Sequence, residues 1–216
     1  MRPATDLVIP VKPLASAKTR LFGAARSGAD DRAAHQELVL ALAMDTATAA
    51  LATPGVRTVL VISADLRVRQ AVATLGASVL DEEFPRGLNA ALTHGARLLR
   101  ERDPSGVVGA LQADLPALRC DDLANALNEA DGRRAFCADR TGAGTTLLLG
   151  ASGAELNPLF GRDSAGAHER SAAAGITAPV PTLRCDVDTA QDLSAAAELG
   201  LGKHTAASPE LFRSRC

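Results

Sequence analysis

Three short runs constrain this chain more than any other feature. They are Asp6-Leu7-Val8-Ile9-Pro10-Val11, Arg57-Thr58-Val59-Leu60-Val61-Ile62 and Gly106-Val107-Val108-Gly109-Ala110-Leu111-Gln112. None alternates strictly between apolar and polar. A strand that is apolar on both faces must be covered on both, which is the situation of a parallel sheet flanked by helices. The intervening segments supply the helices. Asp31 is expected to cap one whose apolar positions include Leu38 and Leu42, with Pro54-Gly55 as its stop. A second runs to Leu75 and ends at Gly76, after which Ala77–Leu80 is a short strand. Further helices are expected over Leu88–Arg102, Asp121–Ala130, Ser164–Ala174 and Thr189–Leu199. Arg134–Ala138, Thr145–Leu149 and Leu183–Cys185 read as extended, and the tail beyond Gly202 reads as polar and loose. This alternation predicts an α/β fold with a mostly parallel sheet, formed as one domain across the 216 residues.

Composition narrows the partners. The chain has no Trp or Tyr and five Phe, so it lacks the aromatic platforms of single-strand nucleic-acid binders. Its net charge of −2 and absence of a basic block argue against nucleic acid altogether. Cys120, Cys137, Cys185 and Cys216 are far apart, with no C-x-x-C pair, which suits neither zinc nor a disulfide framework. Reduced thiols are expected, as in a cytoplasmic protein. No run reaches the ~18 apolar residues needed to span a bilayer.

In parallel sheets ligands bind beyond the carboxyl ends of the strands. Three clusters stand at such places. Pro10-Val11-Lys12-Pro13-Leu14-Ala15-Ser16-Ala17-Lys18-Thr19-Arg20-Leu21 follows the first strand and carries three cations within nine residues. A triphosphate needs such a local field, although a solvated basic loop would look the same. Ala17-Lys18-Thr19 mimics part of a P-loop, but Lys12 and Ala17 stand where that loop needs glycines, so its backbone cradle is excluded. Next, Leu111-Gln112-Ala113-Asp114-Leu115-Pro116 delivers one carboxylate from a buried strand. Mg²⁺ takes hard oxygens, typically one or two carboxylates plus phosphate, and Asp114 suits it; capping the next helix is the structural alternative. In Arg184-Cys185-Asp186-Val187-Asp188-Thr189 the two carboxylates are two residues apart, so extended chain would turn both to one face. Asp188 or Thr189 could equally cap the helix that follows.

A fourth stretch pairs Asp139-Arg140-Thr141-Gly142-Ala143-Gly144-Thr145-Thr146 with Phe160-Gly161-Arg162-Asp163-Ser164. A phosphate or carboxylate between Thr145 and Ser164 is one reading, and a pair of ordinary turns is the other. His168 reads as a packed or surface histidine and is left out of the chemistry.

On these residues the chain resembles the guanylyltransferases of coenzyme F420 biosynthesis (the 2-phospho-L-lactate guanylyltransferase family), most closely its phosphoenolpyruvate-using actinobacterial branch. The likeness runs from Val8 to about Thr205. It rests on V-K-P-L-A-S-A-K-T-R-L, L-Q-A-D-L-P-A-L, F-C-A-D-R-T-G-A-G-T, F-G-R-D-S-A-G-A-H and L-R-C-D-V-D-T-A-Q-D-L. Ala143 stands where Thr is common and Ala113 where Gly often precedes the aspartate. The resemblance implies a Rossmann-like nucleotidyltransferase fold and a Mg²⁺-dependent transfer of GMP from GTP to a three-carbon phospho-acid. Phosphoenolpyruvate is the expected acceptor, with 2-phospho-L-lactate and 3-phosphoglycerate as alternatives. Carried over by position, Thr145, Gly161 and Ser164 would bind the acceptor, and Asp114, Asp186 and Asp188 the metal. Pro10, Val11, Lys12, Lys18, Arg20 and Asn89 are expected nucleotide contacts, with Lys12, Lys18 and Asp114 closest to the chemistry. A non-catalytic nucleotide-binding module is the rival from another class, but it would be expected to have lost a carboxylate.

Overall fold

The computed structural model describes residues 4–15, 17, 21, 29–81 and 87–208, with the backbone alone over 29–31. Among the described residues, seven strands form one sheet in the order β3-β2-β1-β4-β6-β5-β7. They are β1 (Thr5–Pro10), β2 (Val56–Ile62), β3 (Ser78–Leu80), β4 (Val107–Leu111), β5 (Ala135–Ala138), β6 (Thr145–Leu149) and β7 (Ala174–Gly175). The pairs β1–β2, β1–β4, β2–β3 and β5–β7 are parallel, whereas β6 runs against both β4 and β5. Only β6 opposes the common direction.

Both faces of the sheet are covered, as the unbroken apolar runs require. Leu7 and Ile9 face one buried cluster with Val39, Ala43 and Val68, from α1 (Ala29–Ala52) and α2 (Leu66–Ala73). Val8 faces the opposite cluster with Leu92, Ala96 and Leu99 of α3 (Leu88–Arg102). Alternate side chains of one strand thus feed two aliphatic cores, which explains why β1 shows no polar alternation. α3 lies so close to the sheet that a Cβ at Gly95 would fall 2.6 Å from Ile62 Cδ1 and 3.0 Å from Val8 Cγ1. The helices α4 (Cys120–Ala130), α5 (Ser164–Arg170), α6 (Ala190–Leu199) and α7 (Lys203–Ala206) complete the structure. Cys120, Cys137 and Cys185 are free thiols. Among the described residues no helix is long and apolar enough to cross a membrane.

Four expectations need correction. Asp31 does not cap α1, because the helix already begins at Ala29. The helix expected through Ala174 ends at Arg170, and Ala174–Gly175 instead joins the sheet edge beside β5. Helix periodicity in an alanine-rich stretch continues past the point where edge pairing captures the backbone. Leu183–Cys185 is not extended throughout: Leu183 closes a turn, its N–H donating to Val180 O at 3.1 Å, and the stretch joins no sheet. The start of the polar tail is helical, since buried Asp45 on α1 accepts from His204 N at 3.0 Å and Thr205 N at 2.7 Å. A carboxylate at a helix start satisfies N–H groups that lack intrahelical partners.

Candidate active site

The chain order reverses at β1, with β2 and β3 on one side and β4 on the other. Such a switch point leaves a crevice beyond the carboxyl ends of the two central strands. A cavity of about 470 Å³ opens there. Pro10, Val11 and Lys12 enter it from the end of β1, and Gln112, Ala113 and Asp114 from the end of β4. β6 is antiparallel to β4, so its first residue, Thr145, arrives at the same rim, where Gln112 N donates to Thr146 O at 2.9 Å. Gly161, Ser164, Asp186 and Asp188 close the ring.

The loop after β1 is tied at several points. Val11 N donates to Ile62 O at 2.9 Å, and Leu14 N donates to Asp65 Oδ2 at 3.0 Å. Asp65 also caps α2 through its other oxygen, which accepts from Arg67 N. Farther along, His35 Nε2 donates to Ala17 O at 2.8 Å. Lys12 is exposed on this anchored loop and faces the cavity. Lys18 and Arg20 lie outside the described residues.

Asp114 is 9% exposed, and the chain around it is fixed by a residue that the sequence did not flag. Thr46 of α1, fully buried, donates its hydroxyl toward Leu42 O at 3.0 Å and Ala113 O at 3.1 Å, and accepts from Leu115 N at 3.0 Å. One hydroxyl therefore brackets Asp114 on both sides. The capping alternative for Asp114 falls away, because the N-cap of α4 is Arg119.

The segment carrying the other two carboxylates docks on the same place, with Val187 N donating to Asp114 O at 3.0 Å. Cys185 and Val187 are buried, while Asp186 and Asp188 line the cavity, so two-residue spacing does put both on one face. The capping task belongs to Thr189, which accepts from Asp192 N at 3.2 Å while Asp192 Oδ2 accepts from Thr189 N at 3.0 Å. That capping box leaves the Asp188 carboxylate to the cavity.

Among the described residues no group of three or more His, Cys, Asp and Glu is gathered closely enough to cage an ion. The three aspartates therefore share a cavity wall without forming a complete protein site. Their chemistry still fits Mg²⁺, which takes one or two carboxylates and completes its shell with water and substrate phosphate.

The far wall is assembled from loops. Gly161 has φ +151, a conformation that side-chain-bearing residues rarely adopt, and a Cβ there would meet nothing within 4 Å. Asn89 is not among the cavity-lining residues. Its Nδ2 donates to Phe160 O at 2.9 Å and its Oδ1 accepts from Phe160 N at 2.8 Å, so both ends of the amide hold the main chain beside Gly161. Asp139 does line the cavity and was missed, as was Gln112. Asp139 Oδ1 accepts from Thr141 Oγ1 at 2.9 Å and Ala143 N at 3.1 Å, folding the turn that leads to Thr145. Its position in a glycine-rich turn was the available signal.

His168 is fully buried between Phe136 and Phe160, with Thr145 Oγ1 at 2.9 Å from Nδ1 and Leu159 N at 3.0 Å from Nε2. Burial, with a smaller contribution from Arg134, pushes its pKa down to about 4, so the ring is neutral near pH 7.

The family described as "Guanylyl transferase CofC like" matches residues 5–207. The chain belongs to that family. A phosphoenolpyruvate guanylyltransferase of Streptomyces coelicolor is 48% identical over 203 residues, covering 93% of each chain. Another phosphoenolpyruvate guanylyltransferase, from Mycolicibacterium vanbaalenii, is 46% identical over 205 residues, covering 93% of this chain and 92% of its own. Solved structures resemble this CofC-like chain in fold at low identity. A protein described as a nucleotide-diphospho-sugar transferase, from Desulfovibrio desulfuricans, has a TM-score of 0.71 at 14% identity, covering 98% of this chain and 94% of its own. A cytidylyltransferase of Leptospira borgpetersenii has a TM-score of 0.55 at 13% identity, covering 99% and 95%. The expected nucleotidyltransferase-type fold is thereby established.

Proposed function

We propose that this CofC-like guanylyltransferase transfers GMP from GTP to phosphoenolpyruvate and releases pyrophosphate, a step in making coenzyme F420. The supporting observation is spatial. Residues from the ends of β1, β4 and β6, from the loop before α5 and from the segment before α6 line one cavity. They include both the expected nucleotide contacts Pro10, Val11 and Lys12 and the expected acceptor contacts Thr145, Gly161 and Ser164. Relatives named for this reaction supply the acceptor's identity.

In this reading a phosphate oxygen of the acceptor attacks the α-phosphorus of GTP in line. A new P–O bond joins the two, the bond to the β-phosphate breaks, and pyrophosphate leaves with its electron pair. A phosphate monoester is largely dianionic at pH 7, because its second pKa is about 6, so no general base is required. The task left to the protein is to bring two anions together. Lys12, with Lys18 and Arg20 that follow it in the sequence, would neutralise the triphosphate. Mg²⁺ held with Asp114, Asp186 and Asp188, and completed by substrate oxygens, would supply the remaining positive charge. Thr145 and Ser164 offer hydroxyls, and Gly161 an open main chain, to the acceptor.

The test offers GTP or ATP with phosphoenolpyruvate, 2-phospho-L-lactate and 3-phosphoglycerate in turn, with and without Mg²⁺, and follows pyrophosphate release. Release is expected with GTP and phosphoenolpyruvate and is expected to stop when the metal is chelated. No release with any pair would refute the reading, and a faster rate with another acid would reassign the acceptor.

A further inference from the structure

His168 faces two hydrogen-bonding groups whose directions together settle where its proton lies. Leu159 N can only donate, and it meets Nε2 at 3.0 Å, so Nε2 must be the unprotonated acceptor. In a neutral imidazole the proton then sits on Nδ1, which is 2.9 Å from Thr145 Oγ1. His168 therefore donates and Thr145 accepts. The threonine's own O–H proton is left over, and Thr145 has no second side-chain partner among the described residues. Thr145 lines the cavity.

We propose that His168 is a positioning residue that locks the Thr145 hydroxyl as a hydrogen-bond donor aimed at the anionic acceptor. The role rests on the reading of the cavity as the site of a three-carbon phospho-acid. An imidazole of the opposite tautomer would draw the Thr145 proton toward itself and turn a lone pair toward the incoming anion. Two features hold the donor arrangement in place. The ring is 0% exposed and enclosed by Phe136 and Phe160, with ring centroids 6.1 and 5.1 Å away. Its second nitrogen also tethers Leu159, two residues before Gly161, so the same ring fixes both the threonine and the glycine wall of the acceptor end.

The first arm of the test reads the tautomer directly. Nitrogen NMR of the whole wild-type protein is expected to show Nδ1 protonated and Nε2 bare at pH 7, and a protonated Nε2 would overturn the proposal. The second arm is a kinetic cycle of His168→Asn, His168→Leu, Thr145→Val and the double variants, with phosphoenolpyruvate varied and GTP saturating, then the reverse. His168→Leu is expected to raise the acceptor KM about ten- to hundredfold, the size of a lost hydrogen bond to a charged group, and leave the GTP KM within about twofold. His168→Asn, whose amide can donate in place of Nδ1, is expected to recover most of the loss. In a Thr145→Val background either substitution should add little. Equal losses with and without the Thr145 hydroxyl, or a loss shared by both substrates, would overturn the role while leaving the function standing. A wild-type protein that releases pyrophosphate with none of the three acids would bring down the function and this role together.

Discussion

The two halves of the sheet are built by different means. In the β3-β2-β1-β4 half every pairing is parallel, β1, β2 and β4 are largely apolar runs, and Pro10, Val11, Lys12, Gln112, Ala113 and Asp114 reach the cavity at or directly after strand ends. In the β6-β5-β7 half β6 is reversed, and the wall is made of loops together with Thr145 at the start of β6 and Ser164 at the start of α5. Those loops are held by side chains reaching to main chain. Asn89 grips Phe160, His168 grips Leu159, and Arg134 Nη2 donates to Asn157 O at 3.0 Å. The parallel half carries the proposed nucleotide contacts and the looped half the proposed acceptor contacts. A scaffold of strand ends suits the invariant part of a reaction, and a wall of tethered loops suits the part that distinguishes one small acid from another.

The comparison can be challenged hardest at Asp188, which belongs to neither half and sits between them. Asp188→Ala is expected to keep the fold, because the capping is done by Thr189 and Asp192, and to lower turnover by about a hundredfold or more, as for loss of one key electrostatic group. A folded variant with near-normal turnover removes Asp188 from the proposed metal site.

Acid should weaken the looped half first. His168 has a folded pKa of about 4 against an ordinary 6.5, so between those values the unfolded chain binds a proton that the folded ring refuses. Its contribution is complete above pH 6.5 and is lost as pH falls toward 4, amounting to about 2 kcal/mol between pH 7 and 5. Denaturant melts at the two pH values should show wild type losing that much more than His168→Asn. An equal loss in both proteins would mean that the ring is not buried in its neutral form.

The smallest and sharpest test is Asn89→Ala. Its amide spans from α3 in the parallel half to Phe160 in the looped half. Losing two hydrogen bonds is expected to cost about 1–3 kcal/mol of stability and to raise the acceptor KM several-fold. A rise confined to the GTP KM would instead support the direct nucleotide contact expected from the resemblance.

How much was legible in the sequence follows the same division. Leu88–Arg102 and Thr145–Leu149 have in the structure the bounds their patterns predict, and Gly55, Gly76 and Gly200 end their elements with positive φ. Local periodicity is enough where an element buries a continuous apolar stripe. Leu183–Cys185 misled, because the segment is held by Arg184, whose guanidinium donates to Ala138 O and Ile176 O, and by Val187 N donating to Asp114 O, and these distant bonds have no local signature. Thr46 escaped notice for a related reason: a threonine inside a helix looks neutral until Ala113 and Leu115 are seen to lie against it.

By itself the sequence determined the α/β class, the covered sheet, the carboxylate just beyond β4 and the lysine, Lys12, just beyond β1, since these are set by neighbours in the chain. Only the tertiary structure decided that Thr189 rather than Asp188 caps α6, that Asn89 serves Phe160, and which nitrogen of His168 carries the proton. Those outcomes depend on donors and acceptors that lie tens of residues apart, and a polar side chain's task is fixed only when folding brings its partner within hydrogen-bonding distance.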